Sequence, residues 1–491
     1  MPWYPRDNHS SSLGASSFKN SAFEIPQKLN PSLAASALIQ FEWRLIVSKF
    51  KRNFPGEHKV IQENPVNFEL YYVRREEPTC FDDVYCLIMK RSQYYKIHVF
   101  LIASFLCAVG CSDDSNSPQP QDEQFLVNAE FVYSTTAQQL QLLAQLSGLE
   151  VNPSEFVNDI EIFKVTYNTH YNDLPIVASG LVVLPKTAQP VGMLSFHHGT
   201  ITKYDDAPSN FSAGDYNTIA YAAMASVGFI GVIPDYLGFG SSTSVLHPYY
   251  IEDLMASSVI DLLKASVELG DQKNITFNGK LFLAGYSEGG YATMAAHKAI
   301  EQNGLDGFTL IASFPAAGAY DIKGVQEAIF AEEEYDDPHY VAYIARAYQI
   351  EYDHDDLLSD FFNEPYASRI PGLFDGQKAA DDINAQLTNK ISDLIQADFL
   401  NNIDSNPDYS YIVDAFNENS LTDWKPSIRM FMYHGLSDKT VPYQNSVDTY
   451  NKLVSNGAST STLTLTPLEG THSSAIEPYI AELIKELLVL R

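Results

Sequence analysis

The sequence predicts an α/β fold with a mostly parallel central sheet and helices on both faces. Three observations carry this expectation. Short apolar runs alternate with helix-length amphipathic stretches from residue 191 to the C-terminus. The stretch Gly285-Tyr286-Ser287-Glu288-Gly289, followed by Gly290, lies between an apolar run at 281–284 and an alanine-rich, helix-like stretch at 291–300. Two strand-like runs nearer the C-terminus each end in a loop that carries an ionisable side chain, Asp438 in one and His472 in the other.

The elements follow in order from Phe125, where the chain becomes globular in composition. Residues 135–146 have helical spacing of Leu140, Leu142, Leu143 and Leu146, and Gly148 is placed to end the helix. Residues 161–167 and 176–184 read as strands joined by a turn-rich 168–173. Strands are expected at 191–196, 229–233, 280–284, 309–314, 427–433 and 461–468. The interleaved helices are expected at 217–226, 251–269, 443–455 and 474–490. Gly228 ends the first of these helices. In 461–468 Leu463 and Leu465 alternate with threonines, the pattern of a strand with one wet face.

Residues 320–423 break the alternation. They hold helix-like stretches and no convincing strand, with Ile383, Leu387, Ile391, Leu394 and Ile395 at helical spacing. The region is acidic and rich in tyrosine and phenylalanine. An insertion of this length is usually functional or a subdomain, and it is read as a helical cap over the active site. The acidic runs at 332–337 and 353–356 lack the glycine and glutamate positions of a calcium loop and read as solvated helix faces.

Upstream, residues 89–110 have a basic start at Lys90, Arg91 and Lys96, then an apolar run of about 14 residues, shorter than the roughly 20 a spanning helix needs. This is the pattern of a signal peptide. Its end, Ala108-Val109-Gly110-Cys111, resembles a bacterial lipobox, which implies that Cys111 is the site of lipid attachment. Met89 is placed as an initiator, so residues 1–88 are expected to be an extension outside the working protein. Residues 111–124 form a polar, flexible tether. Ser112-Asp113-Asp114 resembles the acidic surface-export tag of lipoproteins from Bacteroidetes-type bacteria. The expected location is therefore the bacterial cell envelope, lipid-anchored, at the outer membrane or cell surface.

All four cysteines lie within residues 1–111, so the remainder uses neither disulfides nor thiolate metal sites. Residues 112–491 carry 51 of the 61 acidic residues and 18 of the 31 basic ones, a formal charge of −33. Such a surface repels phosphate backbones and excludes nucleic acid as a natural partner.

The chemistry starts at Ser287. A strand, a sharp turn and a small-residue helix form the context of a nucleophile elbow. A serine becomes nucleophilic when a base takes its proton and an acid orients the base. Asp438 in His434-Gly435-Leu436-Ser437-Asp438, with Val441-Pro442 after it, and His472 in Gly470-Thr471-His472 supply both in the order Ser, Asp, His. An oxyanion hole needs two N–H groups. Glu288 provides one, and Thr200 or Gly199, in His197-His198-Gly199-Thr200 after an early strand, provides the other. The stretch 205–208 is an alternative place for the second donor. Adjacent strand residues point opposite ways, so His197 and His198 do not read as a metal pair, and His198 is expected to brace the loop.

Asp235-Tyr236-Leu237-Gly238-Phe239-Gly240, the downstream His247-Pro248-Tyr249 and the Gly-Tyr-Ser-Glu-Gly-Gly elbow together resemble α/β-hydrolases of the secretory lipase and esterase type, from about residue 161 to the C-terminus. The resemblance implies an α/β-hydrolase domain over 125–491, with the cap at about 320–423. It also implies a serine hydrolase acting on a small-molecule or lipid-like carboxylic ester, without cofactor or metal, that meets a membrane only through its N-terminal lipid. A prolyl-peptidase-type serine peptidase and a catalytically idle surface-binding lipoprotein are the alternatives.

Overall fold

The computed structural model describes residues 124–147, 152–212 and 216–491. The signal-peptide, lipid-attachment and tether assignments at 89–123 lie outside the described residues. Nine strands form one sheet: β1 (Leu126–Thr135), β2 (Ile160–Tyr171), β3 (Leu174–Pro185), β4 (Val191–His197), β5 (Phe229–Pro234), β6 (Phe277–Tyr286), β7 (Thr309–Ala316), β8 (Arg429–Gly435) and β9 (Leu463–Leu468). Their order is β1-β2-β3-β5-β4-β6-β7-β8-β9. The first three are antiparallel, β3 meets β5 antiparallel, and the rest pair in parallel. The exchanged order of β4 and β5 puts β4 directly beside β6. The C-terminal ends of these two strands therefore deliver the 198–200 loop and Ser287 to the same sheet edge, where open parallel sheets place their sites.

Helices cover both faces. They are α1 (Ala137–Ser147), α2 (Tyr216–Ser226), α3 (Glu252–Gln272), α4 (Glu288–Asn303), α5 (Ile322–Phe330), α6 (Pro338–Glu351), α7 (Leu357–Phe361), α8 (Tyr366–Arg369), α9 (Ala380–Asn384), α10 (Ile391–Leu394), α11 (Ala397–Asn402), α12 (Ser410–Glu418), α13 (Tyr443–Ser455) and α14 (Ile476–Leu490). Ala222 and Ala225 of α2 and Tyr479, Leu483 and Leu487 of α14 pack in one core on one face. Val259, Leu262 and Leu269 of α3 and Ala296 and Ile300 of α4 pack on the other. β5 is buried along its whole length, and β6 from Leu281 onward, as expected of strands covered on both sides. No helix among the described residues is long and apolar enough to cross a membrane.

Three expectations change. β1 was not anticipated: it is an edge strand in which only Leu126 and Thr135 are buried, so it lacks a clean alternation. The turn-rich 168–173 is largely strand, because Asn172 and Asp173 take φ of 49° and 63° and let β2 and β3 run into a tight hairpin. The repeat at 383–395 is not one helix. Tyr335 N–H donates to Asn389 O (2.7 Å) and Ile391 N–H to Glu333 O (3.1 Å), so pairing with the 333–335 segment separates α9 from α10.

Helices α5 to α12 occupy the interval between β7 and β8. Phe361, Phe362, Phe399 and Phe416 lie in a core that continues into Tyr291 of α4. Each such ring contributes about 1.5–3 kcal/mol by burial, enough to hold short helices that have little stability alone.

The contact between α4 and the sheet is close. A Cβ on Gly289 would lie 2.0 Å from His197 O, and one on Gly290 2.2 Å from Ala316 O. Gly290→Ala is expected to destabilise the full chain by roughly 2–4 kcal/mol in chemical denaturation; an unchanged midpoint would show that the helix can shift freely.

Candidate active site

Ser287 stands between β6 and α4 with φ 60° and ψ −125°. A side-chain-bearing residue reaches this region only under constraint, at a cost of about 1–3 kcal/mol. The constraint is visible: Ser287 N–H donates to Ala316 O (2.8 Å), and Gly290 N–H donates to Ser287 O (2.8 Å). Neighbouring strand and helix hold the turn, and the close approach of Gly289 and Gly290 makes this possible.

His472 and Asp438 reach the same point. The Ser287 hydroxyl lies 2.9 Å from His472 Nε2, and His472 Nδ1 lies 2.6 Å from Asp438 Oδ2. The carboxylate accepts three further bonds. Thr440 N–H and Val441 N–H donate to Oδ1 (3.0 Å each), and His434 Nε2 donates to Oδ2 (3.1 Å). Burial alone would raise the Asp438 pKa. The bonds from His434 and His472 outweigh it and hold the acid at about 2. Asp438 is therefore an anion throughout the neutral range, the form that orients an imidazole. Tyr286 OH donates to His472 O (2.7 Å) and fixes the backbone of the histidine loop.

The loop after β4 comes to the same place. A Cβ on Gly199 would lie 3.6 Å from Ser287 Cβ, so its backbone runs beside the hydroxyl. Glu288 is the first residue of α4, so its N–H has no intrahelical acceptor. Among the described hydrogen bonds, the N–H groups of Glu288, Gly199 and Thr200 have no protein acceptor. In the alternative stretch at 205–208, Asp206 N–H donates to Lys203 O (3.2 Å) and Ala207 N–H to Tyr204 O (3.3 Å), and Pro208 has no N–H. His198 donates from Nδ1 to Gly199 O (2.7 Å) and lies against the Tyr236 ring at 4.3 Å. His197 is enclosed, bonded to Ser195 and Thr293 at 2.9 and 2.7 Å.

A second Ser–His–carboxylate set is present. Ser313 Oγ lies 2.6 Å from His297 Nδ1, whose Nε2 lies 2.9 Å from Glu301. Ser313 is fully buried under α4, and Glu301 also accepts from the backbone of Ser427. That set ties α4 to the start of β8 and offers no nucleophile to a substrate.

Ser287 lines a cavity with about 70 Å³ of space for the centre of a water-sized sphere. Ile322, Val325 and Ile329 of α5, Val341 of α6, Phe361 and Phe416 make its wall almost wholly apolar. Tyr335 OH donates to Thr440 O, and Thr440 Oγ1 to Asp337, so the 335–337 segment is fastened to the loop that carries Asp438.

Sequence reasoning missed three partners: His434 on Asp438, Tyr286 on His472, and a buried contact between Glu288 Oε1 and His247 Nε2 at 2.8 Å. His434 and His247 were each within motifs already singled out. Their contacts cross loops that no local pattern encodes.

The sequence and the fold resemble those of known proteins. The model of the secretory lipase family matches residues 207–327. No curated protein matches the sequence. Among solved structures, a hydrolase of Legionella pneumophila, described as putative, is 26% identical with a TM-score of 0.66, over 74% of this chain and 98% of that one. The rice cell wall degrading esterase LipA of Xanthomonas oryzae is 23% identical with a TM-score of 0.65, over 74% and 99%. Lipase A of Candida antarctica in its closed state is 14% identical with a TM-score of 0.51, over 71% and 78%. These likenesses show the α/β-hydrolase fold.

The enclosed His197 gives a test of the site's frame. Burial lowers its pKa to about 3, and the neighbouring His198 adds to this. The unfolded chain, at about 6.5, then binds the proton first as pH falls. Stability is thus present above about 6.5 and is lost on acidification from there towards 3, by at most about 1.4 kcal/mol per pH unit for this group. In His197→Asn the slope of unfolding free energy between pH 6.5 and 4 is expected to be shallower. Equal slopes in both proteins would contradict a neutral, buried imidazole.

Proposed function

We propose that this secretory-lipase-like protein, a carboxylic ester hydrolase on an α/β-hydrolase fold, works through Ser287, His472 and Asp438 by way of an acyl-enzyme. The single observation that carries the reading is the continuous bond path from Ser287 Oγ to His472 to Asp438 at 2.9 and 2.6 Å, with Ser287 lining an apolar cavity.

Ser287 Oγ attacks the ester carbonyl carbon, and its proton passes to His472 Nε2. Asp438 holds the resulting imidazolium. The carbonyl oxygen becomes an oxyanion and accepts from the N–H of Glu288 and from Gly199 or Thr200. The C–O bond then breaks, and the alcohol leaves with the proton from His472. Water, deprotonated by the same histidine, cleaves the acyl-enzyme and releases the acid and free Ser287. The apolar wall from α5 and α6 suits an acyl or aryl substituent without charge, and the surrounding acidic surface disfavours anionic substrates.

The family likeness agrees with a secreted or envelope location. Within that, we place the chain on a bacterial membrane through a lipid on Cys111. Mass spectrometry of the mature protein is expected to find cleavage before an acylated Cys111, and Cys111→Ser is expected to release the protein into the soluble fraction. A membrane-bound Cys111→Ser protein would remove the lipid anchor.

Ser287→Ala is expected to abolish p-nitrophenyl ester turnover and labelling by a fluorophosphonate, and Asp438→Asn to lower kcat by about 10³–10⁴-fold. Ester turnover surviving in Ser287→Ala would refute the mechanism. Turnover of aminoacyl-nitroanilides but not esters would favour a peptidase. Val325→Trp, which fills the cavity, is expected to lower kcat/KM for long acyl esters at least about 10-fold relative to acetate; an unchanged ratio would place the acyl group elsewhere.

A further inference from the structure

Three sequence motifs have no part in the triad: Asp235–Gly240, His247-Pro248-Tyr249, and the glutamate of the elbow. The structure brings them into one assembly. Glu288 and His247 are both about 1% exposed, bonded at 2.8 Å. The other ring nitrogen of His247, Nδ1, donates to Leu237 O (2.7 Å). With Nδ1 turned to a carbonyl, Nε2 faces the Glu288 carboxylate. Rings of Tyr236, Phe239, Tyr249 and Tyr343 surround the imidazole at 5.1–5.9 Å. Gly238, at φ 89°, makes room: a Cβ there would lie 2.3 Å from His247 N. Two tyrosines of the same segment reach the other side of the nucleophile. Tyr236 OH donates to His198 O (3.0 Å), and Tyr249 OH is hydrogen-bonded to Thr200 Oγ1 (2.8 Å).

We propose that the segment 235–250 is the scaffold of the oxyanion hole, with His247 and Glu288 as its central positioning pair. Through His247 it fixes the first turn of α4, and with it the Glu288 N–H. Through Tyr236 and Tyr249 it fixes the Gly199–Thr200 loop. Both donors are thereby set by one rigid body, which matters because a donor displaced by a fraction of an ångström loses most of its effect on a developing charge. A buried carboxylate costs free energy unless paired, so a glutamate beside the nucleophile is explained by the tether it forms. The proposal rests on the ester-hydrolase reading above.

The test uses the full chain with Glu288→Leu, Glu288→Gln, His247→Phe and Tyr249→Phe, each normalised by fluorophosphonate titration of active sites. Glu288→Leu and His247→Phe are expected to lower kcat about 10²-fold with KM within about 3-fold, and affinity for an alkyl trifluoromethyl ketone is expected to fall with kcat/KM. Glu288→Gln, whose amide can donate to Nε2, is expected to stay within about 5-fold of the parent. Tyr249→Phe, which loses a single oxygen, is expected to lower kcat about 10-fold and serves if the first two do not fold. The proposal is overturned if folded variants keep the parent kcat, if KM and kcat move together while ketone affinity is unchanged, or if Glu288→Gln is as slow as Glu288→Leu. Failure of the underlying reading is distinct: the parent would then show no fluorophosphonate label, or Ser287→Ala would retain turnover.

Discussion

The structure depends on one backbone turn. At Ser287 the chain leaves a buried strand and enters a buried helix within a single residue, at φ 60°. That conformation persists because carbonyls of the two flanking strands approach to where only glycine fits, at Gly289 against β4 and Gly290 against β7. The same approach brings the loop after β4 alongside the hydroxyl. The packing of α4 and the placement of the serine at the sheet edge go together with this one close contact between α4 and the sheet.

Around this turn the ionisable groups are sorted by environment. Asp438 is kept ionised by His434 and His472 despite its burial, and also accepts from Thr440 and Val441 N–H. His197 is kept neutral by burial, two residues before Gly199. Glu288 is buried one residue after the nucleophile and is balanced by His247. None of these groups is left as a lone charge near the place where negative charge would develop. The low-polarity surroundings that make such charges costly also strengthen fixed N–H dipoles aimed at an oxyanion.

The insertion between β7 and β8 follows different rules. Its helices are short, and their stability comes from a shared aromatic core rather than from their own hydrogen bonds. It is tied to the acid loop through Tyr335, Asp337 and Thr440, and to the β2–β3 hairpin through Tyr171 and Glu351. The apolar cavity wall and the bond path from Ser287 to Asp438 are thus built from separate parts of the chain that meet at Ser287.

The sequence by itself determined the parallel α/β core, because buried strands and amphipathic helices leave local periodicities. It also marked Ser287, Asp438 and His472, because each sits in a short loop after a strand, a signal carried by a few adjacent residues. The exposed edge strand β1 left no such periodicity. Tertiary structure alone decided the break between α9 and α10, where backbone pairing with 333–335 overrode a helical repeat. It alone joined His434 to Asp438, and His247 to Glu288 across 41 residues of sequence. These contacts depend on where separate loops meet in space, and close approach between loops has no period for a sequence to display. The elbow could be read as a motif, but what holds it open became visible only when the chain was folded.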